Sequence, residues 1–355
     1  MGHSRLPASV LSVGQAFPPH RYSQEELVQA FVKHWGHQFH NPRRLEQLHR
    51  NVLVGGRSLS LPIEGYLGLT SFTDANRVYR EVATDVGEAA VRDALDRAEL
   101  SPHDIDHIFF VSVTGVTTPS IDARLVNRLG FRRDIKRTPI FGLGCVAGAA
   151  GCARAADYLA GHPKEIALLV AVELCSLTLQ REDVSIANVI SVGLFGDGAA
   201  ALILGGAERS PPKAPRIRDS LSTFYPDTED VMGWDIGRDG FRVILSPEVP
   251  EMARQHLGED VERFLSKHSM SVADIDVWIS HTGGPKVLEA IADGLGVDHA
   301  ALDLSWRSLK THGNLSSASV LLVLRDALEE KSGKHALMSA MGPGFCSELV
   351  LLEWS

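Results

Sequence analysis

Cys145, His281 and Asn314 are polar residues standing at the ends of apolar runs, where packing does not require them. Cys145 lies in Phe141-Gly142-Leu143-Gly144-Cys145-Val146-Ala147-Gly148-Ala149-Ala150-Gly151, where an apolar strand-like approach breaks at glycines and restarts as a small-residue helix. Glycine before the cysteine permits a tight turn. A helix starting at the sulfur offers unpaired N–H groups and a positive dipole end, both of which favour thiolate over thiol. Alone, the same cysteine reads first as a small hydrophobe packed among alanines, and it is the rest of the chain that overturns this. His281 ends Val277-Trp278-Ile279-Ser280 just before Thr282-Gly283-Gly284-Pro285, and alone would be a satisfied loop histidine. Asn314 follows His312-Gly313 and alone would be an ordinary N-cap. Papain-like proteases use the same residue types, but there the Asn orients the His and the nucleophile lies near the mature amino end.

The elements that must position these residues come as a repeat. Asp104-Ile105-Asp106-His107-Ile108-Phe109-Phe110 is echoed by Asp274-Ile275-Asp276-Val277-Trp278-Ile279, and Leu129-Gly130 by Leu295-Gly296. One offset, 169 residues, separates Cys145 from Asn314 and Ala167 from Ala336. A constant spacing of this size implies two similar βαβ-type halves rather than a solenoid. Related halves pack with equivalent helix starts close together, which places Asn314 near Cys145 and aims it at a substrate carbonyl. The patterns predict helices over 78–100, 121–129, 146–159, 249–268, 286–295 and 315–330. Strands are predicted over 108–113, up to Cys145, and over 166–172, 200–204, 277–280, 336–341 and 349–354. A proline-rich joint over 210–215 separates the halves. Strands followed by helices, twice over, make an α/β chain with helices covering mixed or mostly parallel sheets.

Composition sets the outer bounds. With 355 residues, 44% of them hydrophobic, the chain can bury a large core. A net charge of −9 without a basic stripe argues against nucleic acid as a partner. No run of about 18 apolar residues is present to span a membrane, and no signal-peptide pattern opens the chain, so a cytoplasmic location is expected. Cys145, Cys152, Cys175 and Cys346 have no CxxC spacing and no adjacent histidine pair, so neither a metal site nor a disulfide framework is expected.

Several motifs carry a resemblance together. They are Gly144-Cys145 with its Ala/Gly-rich helix, Val172-Glu173-Leu174-Cys175-Ser176-Leu177-Thr178, Leu194-Phe195-Gly196-Asp197-Gly198-Ala199, His281-Thr282-Gly283-Gly284-Pro285, Gly313-Asn314-Leu315-Ser316-Ser317-Ala318 and Gly342-Pro343-Gly344. From about residue 75 to the carboxyl end the chain resembles the type III polyketide synthases of the chalcone-synthase-like family. The resemblance implies a duplicated thiolase-like α/β fold in five layers, αβαβα, with two pseudo-symmetric halves. Residues 1–210 would carry the nucleophile and 216–355 the His and Asn. It implies a homodimer that condenses malonyl-CoA repeatedly onto an acyl-CoA starter, with CoA thioesters as substrates and no cofactor. Cys145, His281 and Asn314 match the catalytic positions. Cys145 would carry the growing chain, while His281 and Asn314 would donate to the enolate left when malonyl-CoA loses carbon dioxide.

Departures from the family pattern bear on the product. Phe195 matches the first gatekeeper phenylalanine, whereas Val243 stands at the second. Trp234 stands where plant enzymes have glycine, Met341 replaces the phenylalanine of their Gly-Phe-Gly-Pro-Gly, and Val113 stands where naphthalene-tetrol-forming bacterial members have cysteine. Val113, Cys175, Val243 and Met341 would form one apolar lining, joined by Thr178 and Ser316 as further substrate contacts. Such a lining suits an aliphatic starter, giving a pyrone or resorcinol, and disfavours the naphthalene product. Arg43, Arg44, His49, Arg50 and Arg57 are candidates to meet CoA phosphates at a tunnel mouth, with Gly283 and Gly284 as further CoA contacts; a solvated basic face is the other reading. Asp197 is expected to cap its own Gly-Asp-Gly turn. Two alternatives stay open: a ketoacyl synthase III-like enzyme that condenses once using acyl carrier protein, and a noncatalytic acyl-binding homologue.

Overall fold

The computed structural model describes residues 7–39, 41–330 and 333–354. The amino-terminal part, read from the sequence only as a helix region carrying Arg43 to Arg57, holds β1 (Ser9–Ala16), β2 (His20–Ser23), α1 (Gln24–Trp35), α2 (Pro42–Asn51) and β3 (Gly56–Leu59). The first half continues with α3 (Phe72–Ala98), β4 (His107–Val111), α4 (Ile121–Leu129), β5 (Lys136–Ile140), α5 (Ala147–Gly161), β6 (Ile166–Leu174), α6 (Ile186–Leu194) and β7 (Asp197–Gly205). Beyond the proline-rich joint come β8 (Arg216–Phe224), the hairpin β9 (Met232–Gly237) and β10 (Gly240–Leu245), α7 (Val249–Ser266), β11 (Val277–Ser280) and α8 (Pro285–Leu295). The chain closes with α9 (Asp303–His312), α10 (Ser319–Glu330), β12 (His335–Gly342) and β13 (Cys346–Glu353).

Strands buried on both faces divide three cores between them. In β6, Ala167, Leu169 and Ala171 face α5 and α10, while Leu168, Val170 and Val172 face α3 and α4. In the second half, Met338 and Val350 join the same middle core, and Leu337 and Leu351 pack with α7 and α8. Alternation with a period of two therefore produces five layers, α–β–α–β–α, the thiolase-like arrangement expected. The β-layers run in the order β11-β12-β13-β8 and β1-β7-β6-β4-β5, and they meet edge to edge at β8 and β1, where Ile217 N–H donates to the Ala8 carbonyl at 2.8 Å.

The sequence echoes have matching physical roles. Ser101 with Asp104, and Ser271 with Asp274, form capping boxes at the turns that lead into β4 and β11. The Asp106 carboxylate accepts the Ile166 N–H at 2.8 Å, and that of Asp276 accepts the His335 N–H at 3.0 Å, pinning each strand to its parallel neighbour. Gly130 and Gly296 close α4 and α8 at φ of 70° and 66°. One expectation is corrected: Cys145 does not end a strand. β5 stops at Ile140, and Gly142 and Gly144 take positive φ, so the apolar run before the cysteine is a loop.

Candidate active site

Each of the three residues is held by a turn that its neighbours dictate. Cys145 sits in a single 3-10 turn, Gly144–Val146, leading into α5. Gly144 has φ +56°, and a Cβ there would lie 2.5 Å from the Pro343 ring, so only glycine fits. The Cys145 thiol donates to the Ser316 hydroxyl at 3.5 Å; Ser316, at φ +46°, opens the matching turn before α10. The expected helix over 315–330 thus begins with this turn, as its counterpart does at the cysteine.

Asn314 pairs with the segment carrying Phe195. Its N–H donates to the Leu194 carbonyl and its carbonyl accepts the Gly196 N–H, both at 3.0 Å. Gly313, at φ +75°, allows this approach, since a Cβ would meet the Leu194 carbonyl oxygen at 2.6 Å. The Asn314 Oδ1 accepts the Ser316 N–H at 2.8 Å, which leaves the amide nitrogen as the group open to a ligand. His281 follows β11 directly, and its N–H donates to the Ser339 carbonyl at 2.9 Å. Cys145, His281, Asn314 and Phe195 line one small cavity with Gly283, Ser339, Met341 and apolar side chains of α7 and α8.

Burial governs the charges here. It pushes the Cys145 thiol up to about 12, with Glu173 adding to the rise and the Ser316 hydroxyl opposing it; it pushes His281 down to about 4. Burial therefore opposes the thiolate that the start of α5 favours. A proton passing from Cys145 to His281 creates both charges together inside one cavity, where their attraction offsets desolvation. Glu173 is fully buried behind this site, accepting from the Val113 N–H at 3.1 Å, the Thr114 hydroxyl at 2.9 Å and the Ser317 hydroxyl.

Desolvation raises the Glu173 carboxyl from its ordinary 4.5 to about 7, against the pull of those donors. A raised carboxyl favours the folded state below pH 4.5 and gives that up as pH rises through about 7. Glu173→Gln, which cannot titrate, is expected to lose less melting temperature than the wild type between pH 5 and 8. Parallel melting curves for the two proteins would refute the shift.

A second cavity adjoins the first, and Phe195 borders both. Around it stand Leu27, Ala30, Phe31 and Trp35 of α1, with His49, Arg57, Tyr66, Cys175, Thr178, Trp234 and Val243. The single lining expected from the sequence is therefore corrected. Cys175, Thr178, Trp234 and Val243 are in this cavity, Met341 is in the cavity of Cys145, and Val113 lines neither, being buried with its N–H on Glu173. Ser316 meets the thiol itself. Gly284 begins α8 at φ +126°, next to the cavity-lining Gly283.

The basic candidates divide in the same way. Arg43, Arg44 and Arg50 are exposed on α2, Arg50 lying 3.5 Å from Glu25. Arg57 is only 3% exposed and donates to the Phe195 carbonyl at 2.9 Å, and His49 is buried with Nε2 on the Val189 carbonyl at 2.8 Å. Neither stands at a mouth. Burial lowers Arg57 to about 10 despite the nearby Asp197. Asp197 does not cap its own turn; it accepts from the backbone and hydroxyls of Ser60 and Ser176, tying β3 to the segment after β6. The hydrophobic face of α1, which lines this cavity, is what sequence reading missed.

Residues 2–208 match the family model of the N-terminal domain of chalcone and stilbene synthases, and 216–354 that of the C-terminal domain. The chain is 48% identical over 351 residues to a 1,3,6,8-tetrahydroxynaphthalene synthase of Streptomyces peucetius subsp. caesius, covering 98% of this chain and 93% of that one. It is 41% identical to a putative chalcone synthase of Bacillus subtilis, covering 98% and 99%. Among solved structures, the 1,3,6,8-tetrahydroxynaphthalene synthase of Streptomyces coelicolor A3(2), a bacterial type III polyketide synthase, superposes with a TM-score of 0.91 at 34% identity, covering 98% of this chain and 99% of that one.

Proposed function

The chain belongs to the chalcone and stilbene synthase family of type III polyketide synthases, and from that premise we propose that it extends an aliphatic acyl-CoA starter with several malonyl-CoA units and releases an alkylpyrone or alkylresorcinol. It is an acyltransferase. The observation that carries the starter assignment is the second cavity, largely apolar and sharing Phe195 with the cavity of Cys145.

In the proposed reaction the Cys145 sulfur attacks the starter thioester as the thiol proton passes to His281. The acyl–sulfur bond to Cys145 forms, the bond to CoA breaks, and His281 returns the proton to the CoA sulfur. Malonyl-CoA then loses carbon dioxide. The electron pair of the broken carbon–carbon bond becomes an enolate, whose oxygen accepts from His281 and the Asn314 amide nitrogen. The enolate carbon attacks the acyl group on Cys145, a carbon–carbon bond forms as the acyl–sulfur bond to Cys145 breaks, and the freed thiolate then attacks the lengthened CoA thioester, taking the chain back as CoA leaves as its thiolate. Fixed donors meet the enolate charge, so the step calls for no metal.

Arg43, Arg44 and Arg50 are the exposed cations proposed to meet the CoA phosphates, with Gly283 and Gly284 beside the pantetheine. Exposed Phe141, directly after edge strand β5, supports a homodimer. Among the described residues no helix is long and apolar enough to cross a membrane, in keeping with work on CoA thioesters in the cytoplasm.

A second reading, malonyl-CoA as its own starter giving a tetrahydroxynaphthalene, is favoured by the likeness to the Streptomyces peucetius enzyme. Mass spectrometry of products across a series of starters separates the two. Each methylene buried contributes about 0.8 kcal/mol, so activity should rise with chain length until the cavity ends. Val243→Phe, which narrows that cavity, is expected to shorten the preferred starter. A profile highest with malonyl-CoA alone would support the second reading. A product that stops at one condensation would sink both.

A further inference from the structure

We infer that helix α1 closes the far end of the second cavity and sets the length of the acyl chain accepted, with Phe31 as the stop. This rests on the aliphatic-starter reading above. Leu27, Phe31 and Trp35 are spaced by four residues, so they share one face of α1, and with Ala30 they form one wall of the cavity. Phe195, Trp234 and Val243 also line it, and Phe195 borders the cavity of Cys145 as well. An acyl chain attached to the sulfur and directed past Phe195 therefore ends against α1.

The Leu27, Ala30 and Phe31 part of the wall is apolar and firmly held. Phe31 is buried with its ring centroid 5.4 Å from Trp35, 6.1 Å from Phe39 and 5.3 Å from His49. A capping box between Ser23 and Glu26 fixes the start of α1, and the Gln24 side-chain amide donates to the carbonyls of His49 at 3.0 Å and Gly193 at 2.9 Å, locking α1 to α2 and α6. None of Leu27, Ala30 and Phe31 carries a polar side-chain atom. Ketide carbonyls placed against them would lose their hydrogen bonds to water without replacement, whereas methylenes lose none. Against Leu27, Ala30 and Phe31 the tail of an alkyl starter fits better than a poly-β-keto chain.

The test is kcat/KM for straight-chain acyl-CoA starters from butanoyl to hexadecanoyl, measured on the wild type, Phe31→Ala and Ala30→Phe. Each methylene that enters the cavity is expected to raise kcat/KM about fourfold up to an optimum. Phe31→Ala should move the optimum to chains about two to four carbons longer, and Ala30→Phe, which fills the same space, to shorter ones. A change that merely loosens the fold lowers all starters together and leaves the optimum in place. An unmoved optimum in either variant overturns the stop while leaving the starter reading intact. A flat wild-type profile overturns the starter reading and the stop with it.

Discussion

Cys145→Ala is expected to abolish acyl loading and ketide formation while slow loss of carbon dioxide from malonyl-CoA continues. Within its cavity the neighbours are apolar side chains, His281, Asn314 and Ser339, and the Ser339 hydroxyl is engaged with that of Ser280 at 3.0 Å. Cys175 lines the other cavity, so it cannot substitute at this one. Loss of a nucleophile acting with its base costs at least about 10⁴-fold, which places chain extension below detection. Decarboxylation depends on donors to the enolate oxygen, and His281 and Asn314 both remain. Extended ketides from Cys145→Ala would mean that another group carries the chain.

Asn314→Ala should lower malonyl-CoA decarboxylation by about 10²- to 10³-fold, the usual effect of removing one oxyanion donor, and starter loading by much less. The asymmetry follows from the geometry. Loading uses Cys145 and His281, whereas the enolate needs the amide nitrogen that the Ser316 contact leaves open. Asn314→Asp retains an oxygen for the Ser316 N–H and removes the donor, so it separates chemistry from turn-building. Decarboxylation should fall in Asn314→Asp as it does in the alanine variant. Equal losses in the two half-reactions, with the aspartate variant restoring both, would reduce Asn314 to a cap.

The duplicated frame was legible because its echoes are structural parts. Asp106 and Asp276 each pin a strand, and Gly130 and Gly296 each end a helix, so the same residue types recur for the same backbone reasons. That Cys145, His281 and Asn314 share one cavity was legible from their position in that frame. The segment before Cys145 misled because apolar content reads as strand, while the positive φ at Gly142 and Gly144 decides for a loop. β5 itself was hidden by its exposed Lys136, Arg137 and Pro139, which give no hydrophobic alternation. Arg57 reads as a surface cation by residue type; its burial depends on the Phe195 carbonyl and on Asp197, both remote in sequence. α1 did carry a signal, Ser23-Gln24-Glu25-Glu26 followed by apolar residues at 27, 31 and 35, the capping box and spacing of an amphipathic helix. Cys175, Thr178, Trp234 and Val243 were legible as cavity residues, but the side of the second cavity built by α1, α2, β3 and α6 could not be foreseen, because these elements meet only in the folded chain.

The central claim is that one sulfur carries a chain through repeated condensation, and mass spectrometry of the enzyme during turnover with octanoyl-CoA and malonyl-CoA tests it most directly. Rapid quenching and proteolysis should show the peptide containing Cys145 bearing octanoyl and then successive ketide-extended forms. Adducts confined to other peptides, or a series that stops at a single ketide unit on Cys145, would contradict it.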